Sequence, residues 1–200
     1  MIVLALTGSI GMGKSTTLRM FAEAGCATWD ADTAVHRLYR AGGTGASVVG
    51  RLFGGVLTAD GAVDRAALSG IVLNDEAALR RLEAAIHPLV ADDRERFLLE
   101  AERSGVVVAV LDIPLLFETG GETMADAVVV VTAGEGVRRA RVLDRPGMTE
   151  AKLGAILARQ MPEAERVARA DYVVRTDEGL DAARQAVAAI LADLAVEMPG

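Results

Sequence analysis

The sequence predicts an α/β protein: a parallel five-stranded sheet flanked by helices, with a helical insertion and a hinged pair of helices. Three observations carry this prediction. Short, nearly continuous apolar runs alternate with segments of helical periodicity, the pattern of strands buried on both faces of a parallel sheet. A glycine-rich turn joins the first apolar run to the first helical segment. Residues from about 33 to 104 contain helical pattern and turns but no strand, which marks them as an insertion in one fold.

Residues 2–6 are the first apolar run and have the length and composition of a buried strand. Gly8-Ser9-Ile10-Gly11-Met12-Gly13-Lys14-Ser15 follows and matches G-x-x-x-x-G-K-[ST], with helical pattern continuing to about Ala24. Strand before and helix after are the context that this phosphate-binding pattern requires. The glycines let the backbone turn sharply and bring amides close to phosphate oxygens, and the helix start adds its positive dipole end. Gly11, Met12, Gly13, Lys14, Ser15 and Thr16 are therefore the expected nucleotide-binding residues. The Lys14 ammonium is expected at the outer phosphates and the Ser15 hydroxyl on the accompanying Mg2+.

Residues 27–29 read as a second short strand leading into Asp30-Ala31-Asp32. On an extended chain both carboxylates would point to one side. One of them suits a general base, and helix capping is the competing role for Asp32; spacing leaves the choice open. A helix is expected over 33–40. Residues 41–61 hold seven glycines and read as turns joining short helices. Helices over 64–73, 75–86 and 88–103 follow, the last with Pro88 in its first turn and His87 held out of helical geometry before the proline. His36 and His87 lack the pairing of a metal site.

Residues 106–111, 127–131 and 172–174 are the third, fourth and fifth strands. Ligands of parallel sheets bind beyond the carboxyl ends of the strands, where Gly8–Ser15, Asp30–Asp32 and Asp112–Glu118 all emerge. Asp112, closing an apolar strand, is placed like an acid that holds magnesium beside a phosphate loop. Arg138, Arg141 and Arg145 recur at helical spacing before Pro146-Gly147, and Thr149 suits the cap of a following helix. This hinged pair, about 138–160, reads as a lid whose arginines neutralise phosphate charge. The chain is thus read as one domain, with a core at about 1–32 and 105–200, the insertion at about 33–104, and the lid.

The 200 residues carry a net charge of −7, which argues against a nucleic-acid-coating protein. Within that acidic chain, residues 138–169 hold eight basic against four acidic side chains, as expected where an anionic ligand is held. No apolar stretch has the length of a membrane span. The first strand begins almost at residue 1, so no leader is expected, and Cys26 is the single cysteine; both favour the cytoplasm. A monomer is favoured.

Taken together these motifs resemble the dephospho-coenzyme A kinase family nearly end to end. The resemblance rests on the segment from Leu6 to Ser15, Asp30-Ala31-Asp32 with His36, Asp64-Arg65 with Leu68, His87-Pro88, and Asp112-Ile113-Pro114-Leu115-Leu116-Phe117-Glu118. Ser9 and Met12 depart from the most typical glycine and serine, both at wildcard positions. The resemblance implies a P-loop fold, ATP with Mg2+, and transfer of phosphate to the ribose 3′-hydroxyl of dephospho-coenzyme A. It favours Asp32 as the base. It implies Lys14, Arg141 and Arg145 at the transferred phosphate, Ser15 and Asp112 at magnesium, and Thr7, Asp32, His36, Arg65, His87, Leu115 and Glu118 at the acceptor. The loop at 175–179 is expected to border the adenine. The alternatives are a related P-loop small-molecule or nucleoside monophosphate kinase, and a nucleotide-dependent switch; the latter leaves the two carboxylates unexplained, and the chain lacks the Asn-Lys-x-Asp string of guanine-specific switches.

Overall fold

The computed structural model describes residues 1–73 and 75–196. In chain order the elements are β1 (Ile2–Thr7), α1 (Lys14–Glu23), β2 (Ala27–Asp30), α2 (Ala31–Leu38), α3 (Thr44–Leu52), α4 (Arg65–Val72), α5 (Glu76–Arg103), β3 (Val108–Asp112), a 3₁₀ turn (Gly121–Met124), β4 (Ala127–Thr132), α6 (Glu135–Leu143), α7 (Glu150–Leu157), α8 (Glu163–Ala168), β5 (Tyr172–Arg175) and α9 (Leu180–Val196). They form two compact units, Met1–Thr28 with Ser104–Gly200, and Trp29–Arg103.

The strands make one five-stranded sheet in the order β2-β3-β1-β4-β5. β1 pairs in parallel with β3 and β4, and β4 with β5. The register sets Leu6 against Asp112, Thr7 against Val130 and Thr132 against Arg175, so the carboxyl ends lie side by side. Alternation along the strands feeds two apolar layers. Leu4, Leu6, Val129 and Val131 pack with Phe21 of α1 and with Val187 and Ile190 of α9. Ala5, Val128 and Val130 point the other way, onto Leu116 and Phe117. Fully burying each larger side chain in these layers contributes about 1.5–3 kcal/mol, which holds the strand ends in fixed register.

In the second unit α5 is the spine against which α2, α3 and α4 pack. Its core comprises Val49, Phe53, Leu68, Val72, Ala78 and Ile86, with Leu79, Leu82, Leu89 and Val90 packed around them. This packing corrects the expectation of separate helices over 75–86 and 88–103. α5 runs unbroken through Pro88, and His87 is helical rather than extended. A proline inside a helix costs about 3 kcal/mol, but apolar residues at helical spacing on both sides of Pro88 face one core. Pro88 itself is exposed, where water can reach the carbonyl it leaves unpaired.

Asp93 of α5 organises the same unit. It accepts from the indole Nε1 of Trp29 at 2.8 Å and from Arg37 Nη2 at 2.6 Å, with Arg96 4.0 Å away. Burial pushes the Asp93 carboxyl up, but the Trp29 hydrogen bond and the bond and charge of Arg37, aided by Arg96, outweigh it and hold the group below its ordinary value of 3.8. A depressed folded-state pKa contributes stability that is complete above 3.8 and is lost as pH falls through the folded value. Asp93→Asn is therefore expected to melt about 3–8 °C below the parent at pH 7. In thermal melts followed by Trp29 fluorescence, the gap should close as pH drops below 3.8; a gap independent of pH would show that charge is not involved.

Candidate active site

Between β1 and α1 the chain forms a cradle of backbone groups. Gly11 and Gly13 have φ of 78° and 96°, accessible to glycine at little cost. Space matters as well: a Cβ on Gly11 would meet Val142 Cγ2 at 2.5 Å, and one on Gly8 would meet the Val131 carbonyl oxygen at 2.5 Å. Ser9–Met12 closes as a turn, with the Met12 amide donating to the Ser9 carbonyl at 3.3 Å. α1 then starts at Lys14 directly after Gly13, with no acidic residue in its first turn. The first amides of a helix have no intrahelical acceptor, so those at the start of α1 and its dipole can serve an anion.

The residues from Gly11 to Thr16 run from the turn after β1 into the first turn of α1. Lys14 is half-buried and Ser15 and Thr16 are exposed at the mouth of the loop. A cavity of about 210 Å³ opens beside it, lined by Gly11, Thr16, Arg141, Arg145, Thr176 and Gly179 among others. The segment that follows β5 thus borders the phosphate loop. It is tied down by Asp177, whose carboxylate accepts from the Gly134 amide at 2.7 Å.

Thr176 is the junction of this region. Its hydroxyl donates to the Met12 carbonyl at 2.7 Å and accepts from Arg141 Nη1 at 2.8 Å, while Arg141 Nη2 donates to the Thr176 carbonyl at 2.8 Å. Arg141 is therefore a fixed cation on the cavity wall. Arg145 follows α6 in the turn that contains Pro146 and Gly147, and it is exposed. α7 resumes with Thr149 as its cap, accepting from the Lys152 amide at 3.3 Å, and Arg139 pairs with Glu150 across the turn.

At the carboxyl end of the sheet, Asp112 is the last residue of β3 and is 3% exposed. Thr7 is buried, with its hydroxyl 3.4 Å from the Pro114 carbonyl oxygen it donates to. Leu115 is 42% exposed. Glu118 is engaged within the protein: Oε1 accepts from the Met161 amide at 2.7 Å and pairs with Arg166 Nη2 at 3.2 Å.

In the unit formed by Trp29–Arg103, the two carboxylates separate into different roles. β2 ends at Asp30 and α2 begins at Ala31, so the expected extended Asp30-Ala31-Asp32 is replaced by a strand end and a helical turn. Asp30 is the helix cap, its side chain accepting from the Thr33 amide at 2.5 Å. The cap satisfies an orphan amide of α2, a gain of about 1 kcal/mol that ends the strand two residues early. Asp32 is left exposed in the first turn of α2, one turn before His36. Arg65 Nη1 lies 2.7 Å from His36 Nε2, and its guanidinium sits 5.9 Å from the centre of the Tyr39 ring. Arginine can only donate, so the facing His36 nitrogen is the acceptor. His87 is exposed on α5.

Among the described residues, no group of three or more His, Cys, Asp or Glu is arranged to hold a metal, and no helix is long and apolar enough to cross a membrane. Burial raises the Cys26 thiol above its ordinary value.

The sequence profile of the dephospho-CoA kinase family matches residues 2–182. The chain belongs to the dephospho-CoA kinase family. Its relatives include the dephospho-CoA kinase of Mesorhizobium japonicum, 58% identical over 97% of either chain, and that of Rhodopseudomonas palustris strain BisB18, 54% identical over 100% of this chain and 98% of that one. Among solved structures, TT1252 from Thermus thermophilus matches with a TM-score of 0.79 at 32% identity, covering 99% of this chain and 98% of that one. A dephospho-CoA kinase from Campylobacter jejuni matches at 0.67 and 22% over 96% of each, a likeness of fold alone. Membership in this kinase family makes ATP a substrate. The sequence marks Thr176 only as part of the loop at 175–179 and Gln160 only as the end of the lid segment at about 138–160, and it does not single out Arg166. The run of basic residues over 138–169 was the one signal that touched Arg166.

Proposed function

We propose that the chain transfers the γ-phosphoryl group of ATP to the ribose 3′-hydroxyl of dephospho-coenzyme A. The observation that carries this reading is the division of labour at the end of β2: Asp30 caps α2, which leaves the neighbouring Asp32 carboxylate exposed for chemistry. In this reading Asp32 takes the proton of the 3′-hydroxyl as its oxygen attacks the γ-phosphorus; the bond to the bridging oxygen breaks and ADP leaves.

The residues from Gly11 to Thr16 wrap the phosphates, with the first amides of α1 among their donors, and Lys14 follows the charge on the moving group. Arg141 supplies a fixed charge and Arg145 one carried on the hinge, the preorganised stabilisation that phosphoryl transfer requires. The adenine takes the cavity beside Thr176 and Gly179. Thr7, His36, Arg65, His87 and Leu115 serve the acceptor, the Arg65–His36 pair offering a cation to its phosphates. Glu118 contributes by shaping the loop that follows β3.

The residues present fit the magnesium ion that accompanies ATP: the Ser15 hydroxyl lies in the first turn of α1 and the buried Asp112 carboxylate closes β3, both hard oxygen donors. Ser15 and Asp112 would hold the ion, which when bound spreads the negative charge of the β- and γ-phosphates. The enzyme works in the cytoplasm in this account.

The test is product formation. Purified protein with ATP, Mg2+ and dephospho-coenzyme A is expected to give a product heavier by one phosphoryl group, identical to coenzyme A by mass spectrometry and chromatography. Phosphorylation of a nucleoside monophosphate or another small-molecule acceptor instead, or ATP binding without any acceptor product, would refute the assignment.

A further inference from the structure

Two donors of the phosphate loop converge on a single acceptor outside it. The Ser9 hydroxyl donates to Gln160 Oε1 at 2.5 Å and the Ile10 amide to the same oxygen at 3.3 Å. Ser9 is 3% exposed and Gln160 is half-buried, so the pairing is partly shielded from water. It grips the entry of the Ser9–Met12 turn, while the Thr176 hydroxyl holds the exit through the Met12 carbonyl.

Gln160 is itself held from both sides. On one side it closes the end of α7, its amide donating to the Leu157 carbonyl at 3.1 Å. On the other, both backbone groups of Met161 are captured: the amide by Glu118 Oε1 at 2.7 Å and the carbonyl by Arg166 Nη2 at 3.0 Å. Arg166 is fully buried and bridges Glu118 at 3.2 Å and Glu163 at 3.6 Å. A buried arginine between two carboxylates is stable only in a narrow geometry, so this clamp fixes where the turn between α7 and α8 sits. The direction of the Gln160 side chain follows from it.

We propose that Gln160 is a positioning residue for the phosphate loop. Its carboxamide oxygen, aimed by the Glu118–Arg166 clamp, locks the turn from which the loop presents its amides to ATP. This rests on the nucleotide-binding half of the proposed function and not on the identity of the acceptor. Its consequence is selective: ATP should lose affinity when the grip is removed, because the loop must then be ordered at the moment of binding.

Calorimetric titration of ATP with Mg2+, in the absence of any acceptor, tests this on Gln160→Met, Ser9→Ala and the double variant. Gln160→Met keeps the volume and removes the acceptor; it is expected to weaken ATP binding about tenfold. Its KM for dephospho-coenzyme A should stay within about twofold and its melting temperature within about 3 °C. Ser9→Ala should weaken ATP about two- to threefold. The double variant should bind like Gln160→Met alone, since the Ser9 bond is already lost there. Unchanged ATP affinity in Gln160→Met, equal weakening of both substrates with a lowered melting temperature, or additive losses in the double variant would each overturn the proposal. Should Gln160→Met fail to fold, unaltered ATP affinity in Ser9→Ala would overturn it alone. A parent protein that binds ATP but leaves dephospho-coenzyme A untouched would refute the acceptor assignment while leaving these affinities interpretable.

Discussion

Asp32→Asn is expected to lower kcat by about 10²–10⁴-fold, the contribution of a positioned general base, with the affinity for ATP nearly unchanged. The substitution keeps the shape of the side chain and removes its capacity to take a proton. Asp32 lies exposed in the first turn of α2 and does not cap that helix, so the variant should fold normally. Asp30→Asn provides the contrast. Asparagine is also a good cap, so the Thr33 amide keeps an acceptor and only small changes in stability and rate should follow. Steady-state kinetics with both substrates, together with ATP titration, separates the two. A large loss in Asp30→Asn with little in Asp32→Asn would exchange their roles.

Lys14→Met is the second substitution with a large expected effect. The half-buried ammonium stands where α1 begins, immediately after the positive-φ Gly13. Methionine has a comparable length and no charge, so the loop can keep its path while the moving phosphoryl group loses its cation. Removing one preorganised donor of this kind costs about 10²–10³-fold in kcat. The loss should appear in kcat and kcat/KM together, because the interaction strengthens as charge develops. Lys14→Arg should recover little of it, since a planar guanidinium cannot take the place of a compact point charge among closely packed amides. A variant that loses ATP affinity and keeps its kcat would assign Lys14 to binding alone.

The sheet and its phosphate loop were legible in the sequence because their signals are local. Apolar runs at residues 2–6 and 127–131 need burial on both faces, and Gly11 and Gly13 occupy positions where other residues would be strained or would clash. Signals that depend on packing were harder to read. Pro88 looks like a helix start to any local rule, yet α5 continues through it because Ile86 before it and Leu89 and Val90 after it face one apolar core. The pair Asp30 and Asp32 was ambiguous for a similar reason: whether the chain is extended or helical at Ala31 decides which carboxylate caps, and the cap itself supplies that decision. Glu118 shows the limit from the other side. Its place in a motif suggests the acceptor; its partners within the protein, the Met161 amide and Arg166, are residues more than forty positions away that no spacing rule connects to it. Gln160 and Thr176 are polar residues in turns, and what ties them to the loop is a set of long-range bonds to Ser9, Ile10 and Met12 that no local pattern announces.

A crystal structure of the protein with ADP, Mg2+ and dephospho-coenzyme A bound would test the central claim most directly. The expected result is the ribose 3′-hydroxyl within hydrogen-bond distance of the Asp32 carboxylate, about 2.6–3.2 Å, with the β-phosphate seated on the amides that follow Gly11. A 3′-hydroxyl directed at another base, with Asp32 turned to solvent, would contradict it.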